Sequence, residues 1–429
     1  MNPGSAVPEN PPFVPGRREF IPCRFPYASA RLRSRRMNIT TGAHTRRYDL
    51  DWVRICAFAL LILYHVGMYY VTWDWHVKSP RASSSLEPLM LLVNPWRLPL
   101  LFLVSGAATS FMLAKGGRGL AGARSKRLLV PLIFGMLVVV PPQSYFEVVE
   151  QLHYDGSYWQ FWGRYLAFDG TFCDRDGCLK LPTWNHLWFV TYLWVYTMVA
   201  LLALRLAPRD LLDRWSRQLE RVGGPWLLLI PAAVLAIARI ALRDRFPETH
   251  ALVGDWYNHA QYFPVFVAGL LLARTKAPWE SLRRARFVNA GIALVAYASL
   301  LAYYASFNDS HPPPDLLRMA ARVAFALFCW AAIVAILGFA RAIAPGDSAA
   351  RRYLTEAIFP FYIIHQTAIV AFAHWLAPWK LPLLIEGALL IGATVVCSVG
   401  GFEIVRRVSW LRPLFGLKRV TAVTTVVTA

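Results

Sequence analysis

His65, Arg54 and Asp51 are the residues whose types and spacing could do chemistry most directly. His65 lies well inside the apolar run ICAFALLILYHVGMYY, with Arg54 and Asp51 just ahead of it. An ionisable group in hydrocarbon costs several kcal/mol, so each one there is a functional candidate. At 100° per residue, Arg54 and His65 fall within about 20° of one helical face and about 16 Å apart along the axis. Asp51 falls within about 40° of that face, whereas Asp49 is nearly opposite. A neutral imidazole in such a cavity can act as general base towards a hydroxyl, because histidine titrates near working pH. The structural alternative is a histidine hydrogen-bonded inside the bundle for packing.

Three further stretches carry candidates. In Arg124-Ser-Lys-Arg127, two arginines share a face of a helix entering the apolar LLVPLIF; a guanidinium fork binds phosphate, although a topology-setting basic loop has the same look. PTWNHLWFVTYLW (182–194) places His186 and Trp188 at the start of an apolar run, where an aromatic belt is the ordinary explanation. FPFYIIHQT (359–367) puts Tyr362 and His365 three apart after Pro360, with Glu356 just upstream. Arg97, Arg239, Arg318, Arg322, Glu386 and Glu403 complete the ionisable groups in apolar stretches. No Cys/His pattern has zinc spacing, no metal is expected, and neither a G-x-G-x-x-G nor a P-loop occurs.

The elements that must position these residues are membrane helices. The 429 residues are 56% hydrophobic and only 16% charged, with a mean hydropathy of +0.39; soluble domains carry about 25% charged residues. Ten stretches approach the roughly 20 apolar residues that cross a bilayer: 52–72, 89–113, 128–149, 184–204, 225–242, 259–273, 287–305, 318–340, 353–375 and 381–405. The expected fold class is therefore an all-α integral membrane protein, a bundle of about ten transmembrane helices.

The net charge of +20 would suggest nucleic acid on a soluble domain, but its distribution argues for topology. Alternate connections hold Lys115, Arg118, Arg124, Lys126 and Arg127, then Arg205 to Arg221, Arg274 to Arg286, and Arg341 to Arg352. Such loops are cytoplasmic, which puts both termini there and leaves no call for nucleic acid. Residues 1–47 read as a disordered basic cytoplasmic leader without a signal peptide, compatible with a start at Met1 or Met37. The transmembrane domain occupies 48–406, and 407–429 form a basic cytoplasmic tail. Cys56, Cys329 and Cys397 lie in spans as small apolar residues, whereas Cys173 and Cys178 sit on an outer loop where a disulfide is allowed.

In this setting the opening Arg47-Tyr-Asp49-Leu-Asp-Trp-Val-Arg54, followed by His65, resembles that of the acyltransferase-3 family of polytopic membrane acyltransferases. LPLLFLVSGAATSF (98–111), Arg124-x-x-Arg127, HLWFV (186–190) and FPFYIIHQ (359–366) resemble further family elements, in family order. The second span departs from the pattern, with SGAATS where an aromatic often follows the glycine. PTWNHLWFVTYL, YFPVFVAGLLLAR (262–274) and TEAIFPFYIIHQT (355–367) are most similar to the glucan biosynthesis protein C branch.

The resemblance implies a bacterial inner-membrane O-acyltransferase. Its co-substrate would be acyl-CoA, succinyl-CoA or acetyl-CoA, docked on Arg124 and Arg127. The acceptor would be a hydroxyl of a periplasmic glucan or other envelope polysaccharide. His65 would be the base, Arg54 would orient the donor or stabilise charge with Asp51 as its partner, and His186, Trp188, Tyr362, His365 and Glu356 would line the pocket. The other class compatible with these residues is a proton-coupled transporter or flippase using Arg54, His65, Glu356 and His365.

Overall fold

The computed structural model describes residues 46–116, 119–174, 177–308 and 310–419. The expected leader, Met37, Arg118 and the end of the tail lie outside the described residues. Fourteen α-helices follow one another: α1 (Tyr48–Tyr70), α2 (Glu87–Ala114), α3 (Leu120–Phe134), α4 (Pro141–Gln151), α5 (Tyr158–Leu166), α6 (Trp188–Leu206), α7 (Leu211–Arg221), α8 (Trp226–Leu242), α9 (Trp256–Leu272), α10 (Ala277–Arg284), α11 (Arg286–Ser306), α12 (Asp315–Ile343), α13 (Ala349–Leu376) and α14 (Leu383–Arg407). The described residues form no sheet. That suits hydrocarbon, where every backbone polar group must be satisfied within its own segment.

Among the described residues, eight helical segments are long and apolar enough to cross a membrane, and nine if the bent pair α7 and α8 counts as one span. The expectation of about ten is met in kind but not in count. The fifth and sixth stretches form helices of 17 residues each, short of the usual crossing length of about 20. Before α8 the chain turns by 117° from α7, whose arginines share a short helix with Leu212 and Leu219, both packed on the core. Large apolar side chains on α8, α11 and α14, among them Ile237, Val295, Leu384 and Val396, face outwards. A lipid surround is the physical reason for such a surface.

Depth in the bundle differs between helices. The apolar windows of the segments containing α2, α12 and α13 are 61% buried, those of α11 and α14 only 22%. The central helices thus include two that carry functional candidates. The short α9 is clamped to α2 through Gly106 and Gly269: a Cβ at Gly106 would lie 1.9 Å from the Phe266 carbonyl, and one at Gly269 would lie 1.9 Å from that of Leu103. Only glycine permits this backbone approach, a common device where helices pack by shape rather than by hydrophobic drive.

The two ends of the bundle differ in what ties them. At the basic end Arg47 stacks on Trp279 of α10, 3.9 Å from the ring centre. There too the fully buried Arg351 of α13 bonds Asp51 of α1 at 2.5 Å and Asp347 at 2.6 Å. Residues 408–419 do not leave as a free tail. Phe415 packs on Phe134 with ring centroids 5.3 Å apart, and Arg412 pairs with Glu356 at 2.9 Å. At the opposite end Tyr69 donates to the buried Glu386, and Tyr192 donates to Asp255.

A small lobe caps that second end. A π-helical turn, Gly135–Val139, re-aims the chain between α3 and α4. Tyr165 of α5 is fully buried; its hydroxyl lies 2.9 Å from both the Met136 and Thr183 carbonyls. Cys173 and Cys178 are disulfide-bonded here. The lobe ends in the short 3-10 turn Asn185–Leu187, so it fixes the entry of His186. Cys329 is buried as expected, whereas Cys56 and Cys397 are exposed on the outer surface of their helices.

Candidate active site

Three histidines from three helical elements converge. His65 of α1 and His365 of α13 place Nδ1 and Nε2 2.9 Å apart, with ring planes within 12°. His186 lies edge-on to His365, centroids 5.2 Å apart. His365 and His186 are each fixed by backbone carbonyls, which can only accept. His365 Nδ1 lies 2.8 Å from the Tyr362 carbonyl and 3.2 Å from that of Phe361. His186 Nε2 lies 3.1 and 3.2 Å from the Tyr362 and Ile363 carbonyls.

These contacts assign the tautomers by elimination. A carbonyl oxygen has no hydrogen, so His365 Nδ1 must donate, and a neutral His365 then offers a lone pair at Nε2. His65 Nδ1 must therefore carry a hydrogen and donate to it. The lone pair of His65 is left at Nε2, the nitrogen free to take a proton from a substrate. Tyr362 braces the cluster from the other direction, its hydroxyl donating to the His186 carbonyl.

Behind His186 a buried amide network runs to the capped end. Gln143 donates to Thr367 Oγ1 at 2.7 Å and accepts from Asn185 and Gln366 at 3.1 Å each. Gln366 Nε2 lies 3.0 Å from His76 Nε2, and His76 Nδ1 lies 2.7 Å from Glu147. Thr367 in turn donates to the Val139 carbonyl in the π-turn. A fully satisfied polar network of this kind rigidifies what it touches.

His65, His186, Trp188 and Tyr362 all line one cavity of about 700 Å3. Trp73, Glu87, Arg243, Glu248 and His250 also line it, so it opens at the end opposite the basic one. Trp188 stacks on His250 with centroids 4.1 Å apart. Burial holds His250, in the loop before α9, below the ordinary histidine value despite nearby Glu248 and Asp255. His365 sits behind His65, and the cavity is not lined by Arg54, Asp51 or Glu356.

Those three belong to the basic end. Asp51 pairs with Arg351 and sits 4.0 Å from Arg54, and Glu356 bonds Arg412. Arg124 is buried, its Nε lacks a hydrogen-bond partner, and the charges of Arg127 and Arg54 both act on it. The structure thus divides the expected set in two. A histidine cavity lies near one end, and an arginine cluster lies about 16 Å down α1 from His65.

Sequence reasoning missed several contributors. Arg351 read as loop charge, although it is the buried partner of Asp51. Gln143 and Gln366 carried no signal beyond being amides in apolar stretches. Arg97 and Arg239 were visible as intramembrane cations but had no role; both are buried and both line the cavity. Among the described residues no group of three potential metal ligands is arranged to hold an ion.

A multi-pass membrane protein with a histidine in the wall of a cavity near one end, and arginines at the other end, is the class these features define. The chain belongs to the acyltransferase-3 family, described as an acyltransferase domain, whose model matches residues 47–402. It is similar to the glucans biosynthesis protein C of Escherichia coli strains K12, SMS-3-5 and O6:K15:H31 (strain 536). In each case the identity is 22% over 391 residues, covering 87% of this chain and 95% of the relative. No solved structure matches the chain.

Proposed function

We propose that this membrane acyltransferase moves a succinyl or acetyl group from cytoplasmic acyl-CoA to a hydroxyl of a periplasmic glucan or related envelope polysaccharide. The observation that carries the reading is His65 in the wall of a cavity open at the less basic end, with its Nε2 the one lone pair of the His65–His365 pair not used internally. The name of the Escherichia coli relatives supports a glucan as acceptor.

His65 Nε2 removes the hydroxyl proton as the acceptor oxygen attacks the thioester carbonyl. A C–O ester bond forms and the C–S bond breaks. The proton then passes from His65 to the departing thiolate, restoring the neutral pair. The described cavity lining contains no Ser, Thr or Cys, which supports direct transfer over an acyl-enzyme on such a nucleophile. The donor's phosphates fit Arg124 and Arg127, because a buried guanidinium Nε without a partner on Arg124, at the basic end, suits an anion. Its acyl arm would then cover the distance between Arg54 and His65 along α1.

The same reading places the protein in a bacterial inner membrane, with basic loops and both termini cytoplasmic. α8 and α9 would complete ten passages, since they run between the same two ends as their longer neighbours.

The test is mass spectrometry of periplasmic glucans from a deletion strain complemented with wild type or His65→Ala. An ester-linked increment that returns only with wild type is expected, and its mass names the acyl group. An envelope glycan profile indifferent to deletion would remove the proposal.

A further inference from the structure

Two arginines in the cavity wall have no assigned work. Arg97 is only 4% exposed, and its guanidinium carbon lies 3.4 Å above the Tyr64 ring. Arg239 is 5% exposed, lies 3.4 Å above the Phe325 ring and bonds the Tyr257 hydroxyl. Arg97 Nε and Nη1 and Arg239 Nε have no hydrogen-bond partner among the described residues, and neither arginine has a carboxylate within ion-pair distance there. Glu248, a carboxylate in the same wall, is held by Arg243 at 2.6 Å.

A guanidinium without a carboxylate in a membrane bundle is costly, and stacking on an aromatic ring satisfies its face but leaves Nε and Nη1 of Arg97 and Nε of Arg239 unmet in the plane. The natural complement of a planar guanidinium is a carboxylate. Tyr64, under Arg97, has its ring centroid 6.0 Å from that of His65, and all three residues line the cavity. An anion on Arg97 therefore sits near the proposed reacting centre, whereas the hydroxyl that approaches His65 is neutral.

Resting on the acyl-transfer reading above, we infer that Arg97, supported by Arg239, binds the free carboxylate of a dicarboxylic acyl group and so selects the acyl donor. The carboxylate enters as part of the thioester and leaves as part of the ester, with no bond made or broken at that end.

The test uses the purified full-length protein in detergent, a neutral oligosaccharide acceptor, and two donors of equal carbon length, succinyl-CoA and butyryl-CoA. Wild type is expected to favour succinyl by at least about tenfold in kcat/KM, as a site built for a polar group rejects the analogue lacking it. Arg97→Gln should bring that ratio to within about twofold, and Arg97→Lys should recover part of it. Equal turnover of both donors by wild type overturns the assignment without any variant. So does an Arg97→Gln enzyme slowed equally with both donors, which would mark a role in the reaction or in folding. So does a dependence on Arg97 that follows charge on the oligosaccharide when an anionic one replaces the neutral one.

If wild type transfers neither group, the transferase reading fails, and the anion site is judged by melting temperature instead. A rise with free succinate but not butyrate, lost in Arg97→Gln, sustains the site. No such rise overturns it.

Discussion

His65 Nδ1 and His365 Nε2 are 2.9 Å apart, joining α1 to α13 across 300 positions of sequence and leaving Nε2 as the nitrogen of His65 that the pair does not use. Because His365 Nδ1 is committed to two backbone carbonyls, neither ring can turn over without stranding a buried donor. In the proposed reaction His365 is thus a positioning residue and His65 the base.

Replacing the two histidines should separate these roles. His65→Ala is expected to lower kcat by about a hundredfold or more, the range of a lost general base. His365→Ala should lower kcat by a smaller factor and leave the KM for acyl-CoA unchanged. His365→Gln, which restores an acceptor for His65 Nδ1, should recover part of the rate. Steady-state kinetics on the purified protein decide this, and a full loss in His365→Gln equal to that of His65→Ala would contradict the positioning role.

The arginine cluster should behave as a donor-binding site. Arg124 and Arg127 changed together to Gln are expected to raise the KM for acyl-CoA about tenfold or more while changing kcat little. An unchanged KM would reduce the pair to topology.

Asp51 is expected to report on stability before catalysis. Its partner Arg351 is fully buried and also holds Asp347. Arg351 ties α1 to the start of α13 through two part-exposed carboxylates, and Asp347 keeps Arg352 as a partner, so its loss removes a bridge between helices. Arg351→Ala should therefore lower the melting temperature in detergent. A variant that melts like wild type yet is inactive would move the pair to the chemistry.

Gly269→Ala places a Cβ 1.9 Å from the Leu103 carbonyl. Forcing α9 away from α2 should cost about 1–3 kcal/mol and shift the arm that carries Arg97, so both melting temperature and activity are expected to fall. Gly291, with open space around it, is the control: its change to Ala should leave both nearly unchanged.

Cys173 and Cys178, bonded to each other, should not label with a membrane-impermeant maleimide in unreduced intact cells and should label after reduction. Labelling without reduction would show free thiols at that loop.

What the sequence by itself determined is the class. Apolar runs of spanning length, the sidedness of Lys and Arg, and a few charged residues inside those runs follow from composition and order. They therefore read correctly as a helical membrane protein, with His65, Arg54 and Asp51 expected at the reaction and His186 and His365 among the expected pocket groups. The family likewise was legible from motifs in order along residues 47–366. Helix periodicity also put Arg54 and His65 on one face, but a shared face is not a shared site. The two lie about three turns apart, and the tertiary structure assigns them to opposite ends. Contacts between distant segments settled the rest. The pairing of Asp51 with Arg351, the return of residues 408–419 onto the bundle, and the meeting of His65 with His365 each depend on how helices pack. In this bundle packing is set by shape and glycine contacts, which a hydrophobic pattern does not encode. The short α9 belongs to the same lesson: Gly106 and Gly269 hold it against α2, a relationship visible only once the two backbones touch.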